Sequence, residues 1–338
     1  VTQRFARLSI AAAAFLATAT LAGQAFAFGD KEVARRTSFG GSCVKCELSG
    51  RNLAGAHIIG ANFSGAALVG ANLREARFQA SSFVGADLSR ADLSDAGMSG
   101  ANFSNANLSS ARLRATEAHG VHFGSANLTK ADFSDADATG AMFQKAVMVG
   151  VVLRSAELRG GMFESADLTK ANLSDADATA ANFSRATLRG AVFRSASLKA
   201  ANLQKVDAAG ALFQDADMAG AMLSHGRFDK ANFRSAELRG ASMSHASFDG
   251  ADFRDADLRR AMIGGADLSG ARGLTQDQID EACADGRTKL PAGLTGKGCH
   301  GVRIMVKPRH GAPAPPAPPA APSPPEHPRY LIAIGPGD

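Results

Sequence analysis

Tryptophan is absent from this 338-residue chain and tyrosine occurs once, at Tyr330, against 20 phenylalanines and 36 glycines. An ordinary globular core mixes its large apolar side chains more evenly, so the imbalance argues for an internal repeat. Cysteine is scarce: there are four, Cys43, Cys46, Cys283 and Cys299. They form a single C-x-x-C, with no second one and no suitably spaced histidine pair, which argues against the usual zinc frameworks. No Ser/His/Asp set, phosphate-binding loop or metal-ligand motif stands out, so the sequence points to no enzyme and implies no cofactor. The longest apolar stretch, Leu8 to Leu21, is about 14 residues and falls short of the roughly 20 that a membrane span needs.

That stretch belongs to a different regime from the rest. Arg4 and Arg7 precede it, and Ala25-Phe26-Ala27 follows with small residues at the first and third places. The pattern predicts a secretory signal peptide cut after Ala27, hence a periplasmic or secreted product that is not an integral membrane protein. No cysteine follows the run closely, so a lipoprotein signal is not indicated. Loss of Arg4 and Arg7 lowers the formal net charge from +5 to +3.

From Leu48 to Leu268 every fifth residue is a centre of the same kind, without insertion or slip. Of these 45 positions, 41 are Leu, Phe, Ile or Met, and the others are Ala118, Ala138, Ala178 and Ala208. From Ala56 to Ala271 the residue two before each centre is Ala, replaced only by small residues such as Ser81, Thr116, Gly161 and Gly226. A period of five suits neither a helix of 3.6 residues per turn nor the two-residue alternation of a strand. It suits a chain that turns a corner every five residues, with Ala and the large residue inward and Asn, Asp, Ser and Gly at the turns.

The unit A-(N/D)-(L/F)-x-x resembles the pentapeptide-repeat family, over roughly residues 41–272. The resemblance implies an all-β solenoid, a right-handed quadrilateral β-helix with four pentapeptides per coil. A 20-residue coil is also visible in the residues themselves: Phe63, Phe83, Phe103, Phe123, Phe143, Phe163 and Phe183 recur at that interval. Further on their column carries Leu203, Leu223, Met243 and Ile263, while the opposite one acquires Phe193, Phe213, Phe233 and Phe253. Such an exchange keeps the volume of each coil nearly constant, as close packing demands. About eleven coils at about 4.8 Å each give a solenoid on the order of 50 Å long.

Both ends of a solenoid need closing. After Leu268 the pattern breaks, and Thr275 with Gln278 predicts a capping box opening a short helix over 275–284. The expected organisation is a signal peptide at 1–27, a lead-in at 28–40, the solenoid at 41–272, a C-terminal cap at 273–300 and a disordered Pro-rich tail at 301–338. Cys43 and Cys46 lie at one end of the solenoid and Cys283 and Cys299 at the other, too far apart for cross-pairing within one chain. An oxidising compartment favours a Cys283–Cys299 staple. Cys43 and Cys46 fall in the two inward registers, as small buried residues whose bridging the sequence leaves open.

Placing residues 20 apart above one another turns the exterior into columns. One is acidic: Glu117, Asp137, Glu157, Asp177, Asp217, Glu237 and Asp257, interrupted by Ser197. Stacked carboxylates raise one another's pKa or recruit counter-ions, and Arg159, Lys199, Arg239 and Arg259, two positions on, offset part of the charge. The stripe reads either as a self-paired solvated face or as a cation- or partner-binding one. An edge of alternating sign, Arg74, Asp95, Arg114, Asp135, Arg154, Asp175, Arg194, Asp215, Arg234 and Asp255, reads as a ladder of ion pairs. A third face is almost uncharged and carries Met142, Met162, Met222 and Met262, a flexible surface suited to docking on protein. His225 and His245 stack beside it and are too few for a metal site.

These columns favour a non-catalytic exported scaffold or protein-interaction rod acting through its outer faces. Its partner is an unidentified protein or cell-envelope component, a second copy of the chain included. Some relatives in the family mimic DNA and inhibit gyrase, a topoisomerase. That alternative needs a strongly acidic cytosolic rod, whereas residues 46–271 hold 24 acidic and 23 basic side chains. No nucleic acid is expected as a partner.

Overall fold

The computed structural model describes residues 41–298, all within one compact unit. The expected signal peptide, the lead-in, Cys299 and the Pro-rich segment lie outside the described residues. From Ser42 onward, residues 20 apart pair in parallel, from Ser42↔Asn62 through to Asp252↔Arg272. Each side of a coil contributes a single bridging residue before the chain turns. One turn of the solenoid therefore has four five-residue sides, as the period predicts.

The consensus follows from where the backbone hydrogen bonds go. The central residue donates to the carbonyl nineteen residues on, as Leu53 N–H does to Asn72 at 2.7 Å, and the outward neighbour donates to the coil before, as Asn72 N–H does to Arg51 at 2.9 Å. The inward alanine closes the corner, with Ala56 N–H on Leu53 C=O at 3.1 Å, and the fifth residue donates upward, as Gly55 does to Arg74 at 2.7 Å. That leaves the fourth N–H. An Asn or Asp two residues earlier accepts it, as in Ser64 N–H to Asn62 Oδ1 at 3.0 Å and Thr179 N–H to Asp177 Oδ1 at 3.0 Å. The Asn/Asp preference is thus a side chain completing the main-chain accounting.

The corners impose a second demand. At each fifth residue from Lys45 to Gly265 the backbone is left-handed, with φ between 52° and 69°. Glycine accepts this freely, while Asn and Asp tolerate it best among the others. Ala115 and Ala180 hold it at 52° and 57° without such help. The inter-coil hydrogen bonds on both sides outweigh their strain.

Inside, the phenylalanines stack as their spacing requires. Phe63 to Phe183 form one column with successive ring centroids 4.7–5.4 Å apart. Phe193, Phe213, Phe233 and Phe253 form the opposite one at 5.0–5.1 Å. Phe183 meets Phe193 edge to face at 5.8 Å where the columns exchange. A further stack, Phe228 on Phe248 at 5.3 Å, occupies a third side. Polar residues in the alanine register are satisfied: the Ser81 hydroxyl donates to Ile58 C=O at 2.6 Å and accepts from Ala61 N–H at 3.1 Å.

The regular offset ends at Met262↔Cys283 and Asp267↔Lys289, because α1, Gln276–Glu281, interrupts the last coil. Thr275 is its N-cap and the capping box with Gln278 is formed, although the helix ends earlier than the 284 expected. The backbone turns extended at Ala282, whose N–H bonds Ile279 C=O. Ile279 is buried, and the Gln278 amide donates to the carbonyls of Phe253 and Ala256 at 3.0 and 2.8 Å. Among the described residues no helix is long and apolar enough to cross a membrane.

At the other end a disulfide joins Cys43 to Cys46 across one corner, with Cα atoms 5.3 Å apart. Full burial was the expectation for both. They are instead half-buried, because no coil among the described residues lies above them. Cys283 is also disulfide-bonded, and its expected partner Cys299 is outside the described residues.

Candidate functional site

The acidic stripe is a paired surface along most of its length. Arg159 bonds Glu157 in its own coil and Asp177 in the next, the latter at 3.0 Å, and Arg239 repeats the arrangement with Glu237 and, at 3.2 Å, Asp257. Lys199 holds Asp217 at 2.9 Å, and His119 Nδ1 lies 3.3 Å from Asp137. Thr139, Thr179 and Ala219 alternate with Arg159, Lys199 and Arg239 in one column. Among the described residues no three acidic, histidine or cysteine side chains group so as to hold a metal ion.

At Asp177 and Asp257 this pairing reverses the expectation that stacking raises the carboxylate pKa. Asp257 is lowered to about 2, chiefly by the hydrogen bond from Arg259 and against the effect of its partial burial. Partial burial pushes Asp177 up, yet its hydrogen bonds from Thr179 and Arg159 outweigh this and hold it below the ordinary value. A depressed carboxylate stabilises the fold fully above its unfolded pKa, near ~3.9, and loses that contribution as pH falls through the folded value. Melting temperature is therefore expected to hold down to about pH 4 and to drop between about 4 and 2. Asp257→Asn should lower the neutral-pH melting temperature and flatten that drop. Circular dichroism melts across the range check this, and a melting temperature that rises below pH 4 would mean repulsion governs the stripe.

The edge of alternating sign is not a continuous ladder. Arg74–Asp95, Arg114–Asp135 and Arg234–Asp255 pair at 3.1, 3.4 and 3.7 Å, each across one coil step. Arg194 turns instead to Gln214 Oε1 at 2.9 Å, and Arg154 makes no ion pair among the described residues. These exposed pairs are worth at most about 1 kcal/mol each.

The third face holds Met162, Met222 and Met262 at 44%, 36% and 47% exposure, with Met142 half-buried beside Met162. Gln144 and Gln204 point their amides at the sulfurs of Met162 and Met222, at 3.2 and 3.8 Å. Glu164 and Arg185 pair at 3.2 Å, and between Met142 and Met262 the other charged residues of this side are Lys145 and Lys205. His225 and His245 stack with centroids 5.1 Å apart.

A family model for pentapeptide repeats matches residues 42–74, 71–109, 196–234 and 236–272 in eight copies, and a model for a pentapeptide repeat region matches 116–193. The chain belongs to the pentapeptide-repeat family. Its solenoid is accordingly a right-handed β-helix. Among solved pentapeptide-repeat structures, HetL of the cyanobacterium Nostoc sp. strain PCC 7120, involved in heterocyst differentiation regulation, is 31% identical. That match covers 63% of this chain and 90% of HetL, with a TM-score of 0.36. AT2G44920 of the Arabidopsis thaliana thylakoid lumen is 30% identical over 29% of this chain and 68% of its own, with a TM-score of 0.25. Full-length QnrB1, a plasmid-mediated fluoroquinolone resistance protein, is 20% identical over 68% of this chain and 94% of its own, at 0.23. No curated protein matches the chain.

Proposed function

We infer that this pentapeptide-repeat protein is a non-catalytic, exported interaction scaffold, and that the methionine face is its contact surface. The observation that carries this is the exposure of Met162, Met222 and Met262 on the side with the fewest charged residues. Burying the charged faces would cost desolvation at each unpaired group, whereas burying thioethers and amides costs far less. In this reading about eleven coils form the scaffold, α1 closes its C-terminal end and the Pro-rich segment is a spacer. The signal peptide delivers the chain to the periplasm or the exterior. A long, flat, sparsely charged side suits a second copy or an extended envelope protein.

Two measurements test the two halves of this reading. Cell fractionation with N-terminal sequencing should find a mature chain starting at Phe28 outside the cytosol. A cytosolic product retaining Arg4 and Arg7 would remove the export claim. Sedimentation velocity of the mature chain, alone and with envelope extract, should show association that Met142→Arg with Met222→Arg abolishes at nearly unchanged melting temperature. If the double variant associates as the unmodified protein does, the face is merely solvated.

A further inference from the structure

The charged stripe changes character over its first coils. His57, Arg77 and Gly97 occupy, in successive coils, the column that Glu117 and the later acids continue. A groove of about 730 Å³ opens there, within the range of small-molecule sites, and His57, Arg77, Gln79, Gly97 and Glu117 line it.

Three observations set this groove apart. The first is that Glu117 alone among the seven acids of the stripe has no cation partner among the described residues; the other six are held by Arg159, Lys199, Arg239, Arg259 or His119. Arg77, facing it two coils away, is equally unpaired. The second is the Gln79 side chain, whose Oε1 is buried without any hydrogen-bond donor. Its Nε2 is the end turned toward Gly97. The third is Gly97. Its backbone is not left-handed, so the conformation does not call for glycine. A Cβ there would lie 3.0 Å from Gln79 Nε2 and 3.8 Å from Glu117 Oε2. The missing side chain is what leaves room for the amide and the carboxylate to face one another.

We propose that this groove binds a zwitterion whose ammonium and carboxylate are separated by a flexible chain. The ammonium donates to Glu117, and the carboxylate receives the Arg77 guanidinium. Arg77 and Glu117 stand two coils apart, about 10 Å along the axis. An α-amino acid, with both charges on one carbon, cannot reach both groups at once. An ω-amino acid can, and so can a lysine at the C-terminus of a peptide, which carries the same two charges at the same separation. Neither an amine nor a carboxylate alone satisfies both walls. The groove lies on a different face from the methionines, so its failure would leave the contact-surface reading untouched.

Titration calorimetry of the purified chain with 6-aminohexanoate, hexylamine and hexanoate tests the proposal. The zwitterion is expected to bind and each singly charged analogue to bind about tenfold more weakly or not at all. Glu117→Gln and Arg77→Gln should each weaken the zwitterion by about tenfold, with circular dichroism and melting temperature unchanged. Gly97→Ala should weaken it too, by pressing on the Gln79 amide. A peptide ending in lysine, compared with its C-terminally amidated form, separates the sources. Tighter binding of the free carboxylate form than of 6-aminohexanoate assigns the site to protein C-termini, and binding of 6-aminohexanoate alone assigns it to a free solute. No heat at millimolar 6-aminohexanoate, equal binding of hexylamine, or equal binding by all variants would overturn the assignment.

Discussion

Truncating Phe123 to alanine is expected to cost about 3–5 kcal/mol, and Phe123→Asp more. The ring has no exposure to solvent. It is stacked between Phe103 and Phe143 at 5.4 and 5.1 Å and meets the edge of Phe133 at 5.6 Å. Deleting it leaves a cavity bounded by three rings that are themselves fixed by their coils, so collapse around the gap is limited. Aspartate adds a charge with no partner in an apolar column. Because each coil touches only its neighbours, the damage should stay local and split the solenoid into two less cooperative segments. Hydrogen exchange followed along the chain reads this directly, as amide protection lost first in the coils around residue 123. Uniform protection in the aspartate variant, with an unchanged melting curve, would contradict the inward placement of the whole phenylalanine column.

The five-residue register made the inward and outward sides legible from the sequence, since one slip anywhere would have exposed every later phenylalanine. The 20-residue recurrence of Phe63 to Phe183 likewise revealed the coil. What the register does not contain is the reach of long side chains between coils. Arg159 contacts the residue eighteen on, Arg74 the residue twenty-one on and Arg194 the residue twenty on. Which step each side chain takes depends on the stagger of adjacent coils and on the bulk of the intervening residue, so the edge of alternating sign looked continuous and is not. The cations two positions on from the acids were legible in the sequence, but not that they hydrogen-bond the carboxylates directly, which holds Asp177 and Asp257 below the ordinary value. The role of Asn and Asp was read as a turn preference, whereas it is a specific bond to the fourth N–H of the unit. The Gly97 groove had a signal, the failure of the acidic column at His57, Arg77 and Gly97, but only the structure shows that Arg77 and Glu117 are left without partners on either side of it.

The repeat also separates fold from surface in a way ordinary globular domains do not. Inward positions accept only apolar or small residues, and the corners accept whatever tolerates a left-handed backbone. The remaining outward positions carry few structural obligations beyond the Asn/Asp bond. The exterior is therefore nearly free to diverge among family members, which is why membership in the family identifies the scaffold and leaves its partner to be read from columns such as the methionines.

Gly226→Ala is expected to destabilise the protein by about 1–3 kcal/mol, although alanine fills that register almost everywhere else. The backbone at Gly226 is not left-handed, so conformation is not the obstacle. The added Cβ would fall 2.6 Å from Phe228 Cε2 and 3.0 Å from Leu223 C=O. Phe228 cannot swing clear. Its ring is packed against Phe213, Phe233 and Phe248 at 6.1, 5.7 and 5.3 Å, where two adjacent sides of the core carry phenylalanine at once. Gly161 is the milder case: its Cβ would lie 2.9 Å from Phe163 Cε2, and that ring sits in a plain stack between Phe143 and Phe183. Gly161→Ala should accordingly cost less. A double-mutant cycle measured by urea denaturation isolates the cause. Phe228→Leu removes the ring edge at its own cost, after which Gly226→Ala should be tolerated, giving a coupling of about 1 kcal/mol or more between the two sites. Additive losses would show that the ring is not what excludes the methyl group and would shift the cause to the Leu223 carbonyl, which the leucine variant leaves in place.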